Sequence, residues 1–148
     1  MKKLIFLLIL IIQTACTSIV LTPVDFAWPI ESVLETNRNG IVIENRYSLS
    51  INVKPMFFEE TNDSLHVNKK TVRIIRNNKG YYFFVAPGFK NVYVFTSDNG
   101  EMILYNKIQV SELGLDLPAF NQRKPYIELL EGEKHLFYLT AEGSKGNN

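Results

Sequence analysis

The sequence predicts an all-β chain, folded as an antiparallel β-sandwich of about eight or nine strands, with a small β-barrel as the alternative. Three observations predict it. Tyr47-Ser48-Leu49-Ser50-Ile51-Asn52-Val53-Lys54 alternates apolar and polar residues without a break. That places Tyr47, Leu49, Ile51 and Val53 toward a core and Ser48, Ser50, Asn52 and Lys54 in water, the one-sided pattern of antiparallel sheets. Gly- and Asn-bearing turn signals of hairpin type recur between short apolar stretches. No segment carries a convincing helical period.

The N-terminus is a separate unit. Lys2 and Lys3 precede an unbroken apolar run over residues 4–12, then Gln13-Thr14-Ala15-Cys16. Nine apolar residues suit the core of a secretory signal, about 7–15 residues, whereas a membrane-spanning helix needs about 20. The segment resembles the lipobox of bacterial lipoproteins. Thr14 and Ala15 match its small residues, and Gln13 departs from its usual aliphatic residue. The resemblance implies a signal peptide over 1–15, cut before a diacylated Cys16, and a lipidated tether over 16–24. Several acyl chains hold a protein on a membrane where one does not. Two alternatives stay open: a cleaved signal with a free thiol, and an uncleaved anchor over 4–21, against which Gln13, Thr14, Thr17 and Ser18 count. All three put the remaining chain outside the cytoplasm, because Lys2 and Lys3 stay inside. Thr17, not aspartate, follows Cys16. By analogy with enteric lipoproteins this implies the outer membrane, facing the periplasm.

Cys16 is the only cysteine, so the fold has no intramolecular disulfide. Removal of residues 1–15 leaves 133, enough for one domain with its own core, and the loss of two lysines takes the formal charge from +1 to −1. A near-neutral chain without a basic stripe has no electrostatic case for nucleic acid. Lys69 with Arg73, and Lys70 with Arg76, fall on opposite faces of the segment 65–76 and read as solvated charges on an exposed strand. Ten Phe, seven Tyr and one Trp supply the apolar mass.

The domain is expected over 25–141. Asn37-Arg38-Asn39-Gly40 separates an apolar stretch over 28–34 from Ile41-Val42-Ile43. After the alternating segment, Pro55 marks a bend or an edge, and Thr61-Asn62-Asp63-Ser64 turns the chain after Phe57-Phe58. Asn77-Asn78-Lys79-Gly80 separates 72–75 from 81–85, and Ser97-Asp98-Asn99-Gly100 separates 92–95 from 102–105. Glu131-Gly132-Glu133 separates 126–130 from 136–139. The stretch 111–124 is irregular and reads as a helical turn or a crossover between sheets. The polar tail 142–148 reads as frayed.

Chemistry is sparse. There is no phosphate loop, no HExxH, no nucleophile elbow and no cysteine pair, so no catalytic residue, metal or cofactor is assigned. His135 alternates with Phe137 and Leu139 and reads as a packed histidine; His66 reads as an exposed loop residue, which with Asp63 and Glu59 has no selective metal spacing. The run Tyr81-Tyr82-Phe83-Phe84-Val85 is aromatic on both faces. It reads first as a strand buried on both sides. The functional reading is a surface of Tyr81, Tyr82 and Tyr93 that stacks on sugars or docks a partner, rimmed by Asn91, Asn106 and Lys107. Trp28 beside Pro29 plugs the sandwich or anchors a contact near the membrane. The stretch 80–94, in which Gly80 and this aromatic strand are followed by Pro87-Gly88-Phe89 and Val92-Tyr93-Val94, resembles transthyretin-like and other prealbumin-type sandwich repeats. It implies an immunoglobulin-like or transthyretin-like sandwich and no activity. The expected function is a non-catalytic envelope lipoprotein, an interaction module with a protein partner; the alternative is a glycan- or small-ligand-binding module.

Overall fold

Turn chemistry sets the strand boundaries. A computed structural model describes residues 26–146; Cys16 and the segments expected to be signal peptide and tether lie outside the described residues. The strands are β1 (Ser32–Glu35), β2 (Ile41–Glu44), β3 (Leu49–Asn52), β4 (Thr71–Arg76), β5 (Tyr82–Val85), β6 (Asn91–Asp98), β7 (Glu101–Gln109), β8 (Pro118–Arg123), β9 (Tyr126–Glu131), β10 (Lys134–Thr140) and β11 (Gly143–Gly146), with one helix, α1 (Lys54–Thr61). They form a five-stranded sheet ordered β1-β4-β5-β6-β7, a four-stranded sheet ordered β11-β10-β9-β8, and the hairpin β2-β3. Every pairing is antiparallel and no sheet closes on itself among the described residues. The protein is therefore an all-β, sandwich-like fold, as the alternation and turns predict.

The five-stranded sheet is central and covered on both sides. Cross-strand partners share a face, so Ile74, Phe84 and Tyr93 lie on one side and Ile75, Phe83 and Val94 on the other. The first side carries a cap layer of β2-β3 and α1, where Phe57 meets Phe89 and Tyr47 stacks on Trp28. The four-stranded sheet covers the second. There Gln122 Nε2 donates to the Arg76 carbonyl (2.7 Å) and Asn106 Nδ2 to the Ala141 carbonyl (3.0 Å). Phe83, Phe84, Leu129 and Leu139 are fully buried; each such side chain contributes about 1.5–3 kcal/mol of transfer free energy.

Four expectations are corrected. Residues 54–61 form a helix, where no segment was expected to carry a helical period and Pro55 was expected to mark a bend or an edge. Pro55 occupies the first helical turn, where its fixed φ is favourable, and Asn62 ends the helix in the left-handed region with its N–H on the Phe58 carbonyl. The stretch 111–124 does cross between the sheets, as one of its two readings has it, but it is not irregular throughout: it ends in β8, which pairs with β9 along its whole length, and the tail contributes β11, paired with β10. The basic segment is not an exposed strand, since Val72, Ile74 and Ile75 of β4 are buried between β1 and β5. Arg73 is ion-paired with Glu31, and Arg76 donates to the Phe26 carbonyl (2.8 Å) with its guanidinium over the Tyr82 ring.

The cap layer is tied to β1 by charge. Glu44 is buried and accepts from the backbone N–H (2.9 Å), Nε (3.0 Å) and Nη2 (3.0 Å) of Arg46, which also donates to Ser32 Oγ (2.6 Å). The Arg46 hydrogen bonds hold the Glu44 carboxyl down at about 2, from an ordinary 4.5. Its contribution to stability is therefore complete above pH 4.5 and lost as pH falls through 2. Arg46 is half-exposed, which discounts the pair to about 1–2 kcal/mol. Glu44→Gln is expected to lose that much at pH 7 and to flatten the pH dependence of urea unfolding between pH 4.5 and 2. An unchanged acid limb would refute the assignment.

Candidate functional site

The longest strands leave the sandwich at one end. β6 and β7 have eight and nine residues, and the second sheet is tied to β7 at Asn106. Before that tie, Ile103, Leu104 and Tyr105 are all exposed, at 46%, 50% and 48%. β7 is the edge of the central sheet, and one further apolar run on an edge is unusual because edges invite pairing with other chains. A bulge opposite Val94 and Phe95 leaves Tyr105 as the extra residue. Its ring lies 4.8 Å from that of Tyr81, and a hydrogen bond with Tyr81 raises the Tyr105 phenol above its ordinary range. At the turn, Asp98 sits directly opposite Glu101, both exposed and neither side chain in an ion pair or hydrogen bond among the described residues. Like charges facing each other across a ladder are destabilising.

On the cap side of the same hairpin runs a groove. Its wider part, about 510 Å³, lies between Ser48, Leu49, Ser50 and Ile51 and the turn residues Ser97, Asn99, Gly100 and Glu101. It continues over Ile51 and Met102 into a pocket of about 230 Å³ floored by Met56, Phe84 and Phe95. Leu49, Ile51, Phe95 and Met102 are only partly buried. Ser48, at the mouth, holds φ 54°, a left-handed conformation uncommon for serine.

The four aromatic residues singled out in the sequence do not form one surface. Trp28 is buried between Tyr47 (4.0 Å, parallel) and the edge of Tyr82 (5.8 Å), so it plugs the cap layer. Tyr93 is buried, and its hydroxyl donates to Glu60 Oε1 (2.9 Å); burial first, then the neighbouring carboxylates, push the phenol far above its ordinary range. Tyr82 is half-buried under Trp28 and Arg76. Tyr81 alone joins the exposed hairpin, through Tyr105. The expected polar rim is used internally: Asn91 donates to Glu60, Asn106 to Ala141, and Lys107 pairs with Glu59. Glu60 also accepts the Lys90 N–H (2.8 Å), which fastens α1 to the start of β6.

The histidines occupy separate places. His66 Nδ1 meets Asp63 (2.8 Å) on an exposed turn, where Asp63 also accepts the N–H groups of Leu65 and His66; those bonds, led by the His66 amide, lower its carboxyl. Glu59 turns away to Lys107. In β10 a register shift between His135 and Phe137 breaks the alternation. It puts His135 against Tyr138 (4.4 Å) and Glu128 (3.0 Å), not on the face of Phe137 and Leu139. The Nε2 atom of His135 is buried without a partner. Among the described residues no group of three His, Cys, Asp or Glu is placed to hold a metal ion, and no helix is long and apolar enough to cross a membrane.

Sequence reasoning missed Ile103, Leu104, Tyr105 and the β3 edge. The available signal was Met102-Ile103-Leu104-Tyr105, four apolar residues in succession beside a hairpin turn. It marks a strand but not whether both its faces are covered. No protein-family model, curated protein or solved structure matches the chain.

Proposed function

We propose that this chain is a non-catalytic envelope lipoprotein, anchored through Cys16 on the outer membrane and facing the periplasm, whose β-domain binds a protein partner through the β6-β7 hairpin. One observation carries the reading: Ile103, Leu104 and Tyr105 are exposed together on an edge strand. Leu104, opposite Phe95, lies on the cap face and Ile103, opposite Thr96, on the other, so the edge is apolar on both faces, and such edges invite pairing with another chain. The lipobox resemblance supplies the anchor, and the near-neutral charge favours a protein over a nucleic acid. The glycan reading is weaker, because of its three tyrosines Tyr93 is buried and Tyr82 lies under Trp28 and Arg76, and its rim is bonded internally.

The test is recovery of partner from crosslinked bacterial envelopes with a C-terminally tagged full-length chain. Wild type is expected to bring down one protein near stoichiometrically. Ile103→Lys with Leu104→Lys is expected to lower recovery about tenfold or more, with the melting temperature unchanged. Cys16→Ser is expected to lose the partner through loss of the anchor. Equal recovery by the lysine variant would sink the hairpin reading.

A further inference from the structure

The geometry points to a specific occupant for the groove beside that hairpin: an extended segment of the partner, apolar on alternate residues and basic at one end, adding as a third strand along the free edge of β3. This rests on the interaction-module reading and deepens it. The β2-β3 hairpin is a two-stranded sheet, marginal alone, with β3 unpaired on its outer side. Ser48 and every residue of β3, Leu49 to Asn52, line the groove. Successive side chains of a strand point to opposite faces, so a run of consecutive lining residues means the strand presents its edge, with its backbone groups, to the space.

The floor beneath that edge is apolar and incompletely covered: Ile51, Phe95 and Met102 are half-buried and meet no further layer. A strand laid beside β3 rests alternate side chains on this floor, the general mode of peptide addition to a sheet edge. Four residues, the length of β3, span about 13 Å. Charge selects the end group. Glu101 is the one charged side chain among the lining residues, and Asp98 opposes it across the turn with neither carboxylate neutralised. A lysine or arginine arriving there relieves the repulsion that the free protein carries; an acidic segment increases it.

The experiment places a benzophenone amino acid at Ser50, which is exposed on β3, and separately at Ile103 on β7, in the full-length chain in envelopes. Expected is a Ser50 adduct whose crosslinked peptide, sequenced by mass spectrometry, alternates apolar residues beside Lys or Arg. Asp98→Lys with Glu101→Lys is expected to cut its yield about tenfold. A Ser50 adduct with a second copy of this chain, or with a peptide lacking a cation, overturns the proposal, as does a yield indifferent to the charge reversal. No adduct from Ser50 alongside one from Ile103 overturns the groove while the interaction module stands. Silence at both positions sinks both readings.

Discussion

Glu31→Ala is expected to lower the unfolding free energy by about 3 kcal/mol, and Glu31→Gln by about 2. Glu31 lies where the chain passes from one sheet to the other: Ile30 bridges Asn121 of β8, and β1 then pairs with β4. One carboxylate oxygen pairs with Arg73 of β4 and the other accepts the Phe120 N–H of β8 (2.9 Å). Both side chains of the pair are mostly buried, 15% and 26% exposed. Burial is the largest influence on this carboxyl and raises its pKa above the ordinary value, against the Phe120 amide and Arg73. The charged form is thus held at a cost, and the pair matters more when broken than its presence suggests. Alanine leaves Arg73 uncompensated and the Phe120 amide without an acceptor. Glutamine keeps one acceptor oxygen, which serves the Phe120 amide or Arg73 but not both, and it removes the countercharge from Arg73. Because the folded pKa is raised, the proton on Glu31 stabilises the fold fully below pH 4.5, and that contribution fades as pH rises through the folded value. Glutamine should remove this slope. Equal unfolding free energies of the two variants in urea at pH 7 would refute a role for the retained acceptor.

How far the sequence discloses this fold follows from which interactions are local. The hairpins were legible because Asn77-Asn78-Lys79-Gly80 and Ser97-Asp98-Asn99-Gly100 specify turns through their own backbone preferences. The helix α1 was hidden because Pro55 follows an alternating strand and ends one element while starting another. β8 and β11 are poor in apolar residues: Asn121-Gln122-Arg123 and Gly143-Ser144-Lys145-Gly146 become strands by pairing with neighbours that carry the hydrophobic pattern. His135 changed faces through a single-residue bulge, which period-two reasoning cannot anticipate.

The site was less legible than the fold, for a tertiary reason. Tyr93 and Tyr105 sit on adjacent strands with similar aromatic and aliphatic neighbours, yet one is 2% and the other 48% exposed. What separates them is that α1 reaches Tyr93 through Glu60, while the ring against Tyr105 is Tyr81, itself only half-buried. Exposure here is decided by where the neighbouring layers stop, not by the strand's own residues. The charge at Asp98 and Glu101 was readable, but their direct opposition required the register of the hairpin.

Gly114→Ala is expected to cost about 3 kcal/mol, whereas Gly100→Ala costs about 1, a contrast that separates close approach from backbone strain. Both glycines hold positive φ, 102° and 84°, and an alanine there pays about 1–2 kcal/mol for the left-handed conformation. Beyond that they differ. A Cβ at Gly100 meets nothing within 4 Å; one at Gly114 falls 2.7 Å from the Gly88 carbonyl oxygen and 3.0 Å from its carbon. These are backbone atoms and cannot turn aside. The same approach places the Gly88 N–H on the Leu115 carbonyl (2.6 Å) and the Leu115 N–H on the Phe89 carbonyl (3.0 Å), with Leu115 itself buried. Separating the segments weakens both bonds, each worth about 1 kcal/mol, and lifts Leu115 from the core. At about 4 °C per kcal/mol for a domain of this size, Gly114→Ala should melt roughly 12 °C below wild type and Gly100→Ala roughly 4 °C below. If the two melt together, the crossover into β8 is not pinned at Gly88, and the close approach carries none of the stability assigned to it.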